Sequence, residues 1–166
     1  MDTKLDLKTV IDIKALLCDT LDAINQSEDY MRLIKREQHL NKKTPLLSMI
    51  FDSEMGYIAE KKYPELEFTH PDDDCVLGDI YSKKLDTGIE LKVCQGQGKA
   101  DQTVWENGTI QDHSKYFLFV RTSYVDGKVI IKFAYYGYMS YSEWRVHGKG
   151  LDIGPKKVEK FCERIM

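Results

Sequence analysis

The chain has 166 residues, of which 42% are hydrophobic and 31% are charged, the composition of an ordinary globular protein with one core. Its net charge of −3 argues against a protein that coats nucleic acid non-specifically, because such binding draws on many Lys and Arg side chains. The sequence has no apolar run of ~18 residues and no secretory pattern, so we expect a cytoplasmic protein with no membrane partner.

The N-terminal segment is predicted to be a helical hairpin. Apolar residues recur at three- and four-residue spacing from Leu5 to Ile24, and Ser27 can cap a second helix from Glu28 to about Leu40. The apolar sides of these helices can pack on the core of the same chain or on a partner subunit. Residues 1–43 are therefore interpreted as a helical addition to a single core.

That core is expected to span residues 44–166 and to begin with a third helix. Thr44 is its predicted N-cap, Pro45 occupies the first helical position, and the helix runs to about Tyr63. Pro64 then ends it.

A β-hairpin is predicted to follow a short strand over Leu66 to Thr69. Two apolar-rich runs, 76–82 and 89–93, are separated by a polar loop that contains glycine. We expect a register in which Ser82 lies opposite Ile89.

This register brings ionisable side chains together on one face of the hairpin. Glu90 and Lys92 are two residues apart, so both point to the same side of a strand. Antiparallel counting pairs Tyr81 with Glu90 and Asp79 with Lys92, which places Asp79 on that side as well. Two carboxylates and an ammonium thus form one predicted cluster.

Such a cluster suits a divalent metal ion and a phosphate. Mg²⁺ is usually held by one or two carboxylates together with substrate phosphate and water, and Asp79 and Glu90 would supply the carboxylates. We therefore predict a Mg²⁺ cofactor, with Mn²⁺ as a substitute. Lys92 would orient the attacking water or stabilise charge that develops on the phosphate.

The order Asp, spacer, Glu-x-Lys, formed here by Asp79, Glu90, Leu91 and Lys92, resembles the PD-(D/E)XK nucleases, and among them the small type II restriction endonucleases. The resemblance implies an α/β fold with a mixed central sheet flanked by helices. It also implies a Mg²⁺-dependent phosphodiesterase that acts on double-stranded DNA. The backbone carbonyl of Leu91 is the further metal ligand that it implies.

Two choices within this resemblance concern the carboxylates. In the family, a glutamate on the helix before the sheet often completes the metal site, and either Glu54 or Glu60 can take this role. The two are six residues apart and project to different faces, and Glu60 is favoured because Gly56, one turn earlier, permits close approach to the sheet. Asp74 is the alternative to Asp79, although its Pro- and Asp-rich surroundings are typical of a loop.

The segment after the hairpin is a candidate DNA-contacting loop or a plain connector. Its glycines permit close backbone approach, and its polar side chains can bind phosphates or base edges. The predicted DNA-binding residues here are Gln95, Gln97, Lys99 and Gln102. Asp101 to Asp112 is weakly helical in pattern.

The C-terminal third is predicted to complete the sheet. Tyr116 to Val120 is nearly continuous in apolar residues, as expected for a central strand, and Arg121 after it is predicted to face phosphate. A long strand from Val129 to Met139 follows. Pro155 opens a last helix, whose apolar stripe is formed by Val158, Phe161, Cys162 and Ile165.

Together these features predict a Mg²⁺-dependent DNA endonuclease of restriction type that acts as a homodimer. One metal site cuts one strand, so duplex cleavage is simplest with two sites related by a two-fold axis. The N-terminal helices from Leu5 to Leu40 are the favoured dimer surface, and the aromatic strand from Phe133 to Tyr141 is the alternative. Alternatives are a junction resolvase or repair nickase of the same fold, or a catalytically silent module that binds nucleic acid or protein.

Overall fold

The computed structural model describes residues 5–39, 46–69, 78–95, 105–107, 115–147 and 150–166. Within these residues the helices are α1 (Ile13–Gln26), α2 (Glu28–His39), α3 (Leu46–Lys62) and α4 (Pro155–Phe161). The strands are β1 (Phe68–Thr69), β2 (Ile80–Ser82), β3 (Thr87–Gln95), β4 (Trp105–Asn107), β5 (Lys115–Val125), β6 (Lys128–Met139), β7 (Arg145–His147), β8 (Gly150–Ile153) and β9 (Glu163–Arg164).

The protein is an α/β structure built on a mixed six-stranded sheet, as the sequence predicts. The strand order is β1-β2-β3-β5-β6-β9, in which β3 and β5 are parallel and the other neighbours are antiparallel. The small sheet β4-β8-β7 is separate. The predicted central strand is confirmed, since β5 is buried from Phe117 to Thr122 and lies between β3 and β6.

One face of the large sheet carries the N-terminal helices. Helix α1 packs against α3 and β6, and Leu16, Leu17 and Ile24 are fully buried in the same core as Leu118 and Val120 of β5. These α1 side chains are covered within a single chain and leave little apolar surface for a partner subunit. The other face is covered near α4 by a second cluster of buried aromatic and aliphatic side chains.

The first helix and the segment 101–112 differ from their predictions. Helix α1 begins later than Leu5, because a 3-10 turn precedes Asp12, whose side chain caps the helix by accepting from the Ala15 N–H. The predicted helical tendency of residues 101–112 is wrong for 105–107, which form a strand paired with β8. The other residues of that segment, and Thr44 and Pro45, lie outside the described residues.

The last helix is shorter than the apolar stripe predicts. Helix α4 ends at Phe161, and the chain then adds β9 to the edge of the large sheet beside β6. Cys162 and Ile165 therefore lie beyond the helix.

No helix among the described residues is long and apolar enough to cross a bilayer.

Candidate active site

The predicted hairpin is formed, with a register two residues away from the predicted one. Ser82 lies opposite Thr87 and Ile80 opposite Ile89, because the chain reverses in a tight turn over residues 83–86. The expected pairing of Ser82 with Ile89 is therefore wrong. A shift of two preserves the faces, since side chains alternate with a period of two. Continuing the observed register brings Asp79 opposite Glu90 instead of Lys92.

Gly78 is what allows Asp79 to approach β3 so closely. Its φ is +122°, and a Cβ there would lie 2.4 Å from the carbonyl carbon of Ile89 and 2.6 Å from the amide nitrogen of Glu90. Any other residue at position 78 would collide with backbone. Asp79 Oδ2 then accepts a hydrogen bond of 2.8 Å from the Leu91 N–H, which fixes the carboxylate against β3.

Glu90 is held by two lysines from two strands. Lys92 Nζ lies 2.6 Å from Glu90 Oε1, and Lys115 Nζ lies 3.3 Å from Glu90 Oε2. The three side chains are only 12–16% exposed, so their charges are poorly screened by water. The lysines act against burial, which by itself would raise the pKa of Glu90, and together they hold that pKa below its usual value.

A third carboxylate reaches the cluster from α3. Burial, and after it the negative charge of Glu90, raises the pKa of Asp52 to about 6. Asp52 Oδ1 is buried and accepts no hydrogen bond from the described residues. A buried carboxylate oxygen in this condition is energetically unfavourable unless a cation or a donor meets it.

Asp79 is affected by the same accumulation of negative charge. Burial is the largest cause, and the charges of Glu90 and Asp52 add to it, so that the pKa of Asp79 rises to about 7. The Leu91 N–H and Lys92 oppose this effect without cancelling it. Carboxyl groups whose pKa values are raised by burial and by neighbouring carboxylates are a pattern found at functional sites.

Comparisons with protein-family models, with curated proteins and with solved structures gave no match. The chemistry of the site must therefore be argued from its own residues.

The carboxylate oxygens are of the type that a hard divalent cation prefers, although the described side chains do not form a complete metal-binding group. In the part of the chain that the structure describes, no three His, Cys, Asp or Glu side chains are arranged to hold a metal ion as they stand. Mg²⁺ needs only one or two protein carboxylates when substrate phosphate and water complete its shell. Asp79 and Asp52 Oδ1 offer oxygens of the right type beside Glu90.

The helix glutamates predicted for this site lie elsewhere. Glu60 is exposed and lines an open groove with Lys61, Glu67 and Lys83. Glu54 accepts a 2.6 Å hydrogen bond from the Tyr30 hydroxyl of α2. Asp52 is the α3 carboxylate on which the charge of Glu90 acts. The predicted role of Glu60 in the site stays a prediction.

The predicted DNA-contacting residues are only partly described. Arg121 is 6% exposed, and its guanidinium donates to Cys94 Sγ at 3.1 Å, so contact with phosphate would require this side chain to leave the interior. Gln95 is the last residue of β3, and its side chain lies outside the described part, as do Asp74, Gln97, Lys99 and Gln102. Their predicted roles stay predictions.

Sequence reasoning missed Asp52, Lys115 and Gly78. Asp52 had a weak signal, because it is one of only two acids, with Glu54, in the largely apolar segment Leu46–Ile58. Gly78 directly precedes the chosen aspartate, which is a place where close backbone approach is useful. Lys115 had no signal of its own, since only the parallel pairing of β3 with β5 brings it to Glu90.

Proposed function

We propose that this protein is a divalent-metal-dependent DNA endonuclease whose site is formed by Asp52, Asp79, Glu90 and Lys92. The observation that carries the proposal is the buried oxygen of Asp52 beside two further carboxylates and a lysine on one end of the β2–β3 hairpin. Three largely buried carboxylates whose charges act on one another are unfavourable for the fold alone. They are favourable once a cation is bound.

Asp79 and Glu90, with Asp52 and the Leu91 carbonyl, would hold Mg²⁺ or Mn²⁺. When bound there, the cation would polarise the scissile phosphate and lower the pKa of an attacking water. Asp79 is held in place for this role by the Leu91 N–H, and Gly78 keeps it against β3. The Asp79 carboxylate is thus positioned by a backbone contact before any ligand arrives.

Lys92 is the electrostatic partner of the reacting phosphate in this proposal. It shares a face with Glu90, is 16% exposed, and lies on a paired strand with little freedom to move. A positive charge in so poorly hydrated a position stabilises developing negative charge more than a surface lysine does.

Double-stranded DNA is the proposed substrate, and a restriction-type homodimer is the proposed form. The net charge of −3 is compatible with this, because an acidic site repels phosphate until a cation occupies it. Two copies related by a two-fold axis would place one site on each strand.

A plasmid-cleavage assay tests the proposal. Supercoiled DNA is incubated with the protein and Mg²⁺, Mn²⁺ or a chelator, and nicked and linear products are quantified. We expect metal-dependent cleavage that D79N and E90Q abolish and that K92M slows by roughly 10²-fold, the usual scale for a charge-stabilising group. The matched control is D86N, which changes a carboxylate at the opposite end of the same hairpin, where Asp86 accepts from the Tyr81 hydroxyl.

A catalytically silent binding module is the second candidate, and the double pairing of Glu90 favours it. Both carboxylate oxygens of Glu90 are already engaged by lysines, as in a purely structural ion network. The same assay separates the two candidates. A pure protein that leaves DNA intact with both metals is the silent module.

A further inference from the structure

Lys115 occupies an oxygen of Glu90 that the proposed cation would need. Its ammonium lies 3.3 Å from Glu90 Oε2, while Lys92 takes Oε1 at 2.6 Å. The Lys115 side chain is only 12% exposed. Lys115 is the first residue of β5, and a lysine at the end of a strand can easily extend into water. The ion pair with Glu90 explains why this lysine is buried.

We propose that Lys115 is a positioning residue that holds Glu90 in the cation-free protein and competes with a divalent cation for it. This inference rests on the proposed function, since it concerns the same carboxylates. An ammonium and a metal ion cannot both contact one carboxylate oxygen without strong repulsion between their charges. One lysine must therefore yield when a cation binds to Glu90.

Lys115 is the lysine that yields. Its contact is longer than that of Lys92, and it comes from a neighbouring strand, whereas Lys92 is two residues from Glu90 on the same strand face. Glu90 thus remains oriented by Lys92 in both states. In the absence of metal, Lys115 compensates Glu90 Oε2, the carboxylate oxygen that Lys92 does not contact.

Removal of Lys115 should therefore tighten cation binding. A structural lysine would behave in the opposite way, because its loss would leave Glu90 less well placed and weaken binding. We expect Mn²⁺ to bind about tenfold more tightly, which corresponds to a gain of ~1.4 kcal/mol in binding free energy. K115R keeps the charge and should bind as the wild type does.

Calorimetric titration of the full chain with Mn²⁺ alone, without DNA, tests this inference. The variants are K115M, K115Q and K115R, and K132M is the control, since Lys132 is an exposed lysine on β6 whose loss changes the net charge equally. K115Q keeps a hydrogen-bond donor for Glu90 and serves if K115M does not fold. Tighter binding by K115M or K115Q, with K115R and K132M unchanged, is the expected result.

Unchanged or weaker Mn²⁺ binding by the folded K115M and K115Q proteins would overturn the inference. If the wild type meanwhile binds Mn²⁺ and cleaves DNA, the proposed function stands and only the role of Lys115 is wrong. If the wild type neither binds Mn²⁺ nor cleaves, both fail together. Thermal unfolding with and without Mn²⁺ gives an independent measurement. If K115M and K115Q bind Mn²⁺ more tightly, the metal should raise their Tm by more than it raises the Tm of the wild type.

Discussion

Replacement of Asp79 by Asn is expected to stabilise the fold at neutral and alkaline pH while it abolishes cleavage. Burial and the charges of Glu90 and Asp52 raise the pKa of Asp79 from its ordinary 3.8 to about 7. Since one pKa unit corresponds to ~1.4 kcal/mol, ionised Asp79 destabilises the folded state by at most about 4 kcal/mol above pH 7. Asn is uncharged and keeps an oxygen that can accept from the Leu91 N–H.

The pH dependence follows from the sign of this shift. Below pH ~4 the carboxyl is protonated in both folded and unfolded chains, so Asp79 contributes no penalty there. As the pH rises towards 7, the unfolded chain loses its proton first, and the wild type loses stability that D79N keeps. We expect the free energy of unfolding of D79N to exceed that of the wild type by about 2 kcal/mol at pH 8. This is about half of the upper limit, because the amide NH₂ of Asn also needs a hydrogen-bond partner.

Urea unfolding followed by circular dichroism at pH 4.5 and pH 8, without divalent cations, measures this difference. D22N is the control, since Asp22 is an exposed carboxylate on α1. A D79N protein that is less stable than the wild type at pH 8 would refute the reasoning. It would mean that the Leu91 N–H and Lys92 stabilise the ionised carboxylate more than its neighbours destabilise it.

Three further predictions concern the same site and the assembly. D52N should lose metal-dependent cleavage while E60Q keeps it, because the charge of Glu90 acts on Asp52 whereas Glu60 lines a groove with Lys61, Glu67 and Lys83; equal activity of both variants in the plasmid assay would reject the choice of Asp52. G78A should lower the free energy of unfolding by about 3 kcal/mol or more, whereas G127A, also at positive φ but with open space around it, should cost only ~1–2 kcal/mol; similar urea midpoints would contradict the close backbone approach. Sedimentation equilibrium should give twice the monomer mass at micromolar concentration, and a monomer would favour a nicking enzyme.

The identity of the hairpin face was available from the sequence alone. Glu90 and Lys92 share a side of β3 because a strand alternates with a period of two, and this holds for any register. For the same reason a register that was wrong by two residues still grouped Asp79 with Glu90, whose charge acts on it. The buried run at the start of β5 and the amphipathic α1 were likewise predictable, because the spacing of apolar residues indicates which side chains are buried.

Long-range placement decided the rest of the site. Asp52 and Glu60 are both acids on α3, and only the packing of that helix on the sheet determines which of them acts on Glu90. Lys115 reaches Glu90 because β5 pairs in parallel with β3, a contact between positions 25 residues apart that no local pattern encodes. Periodicity fixes which side of an element a residue faces, whereas partners across elements depend on the balance of packing, backbone pairing and charge that exists only in the folded chain.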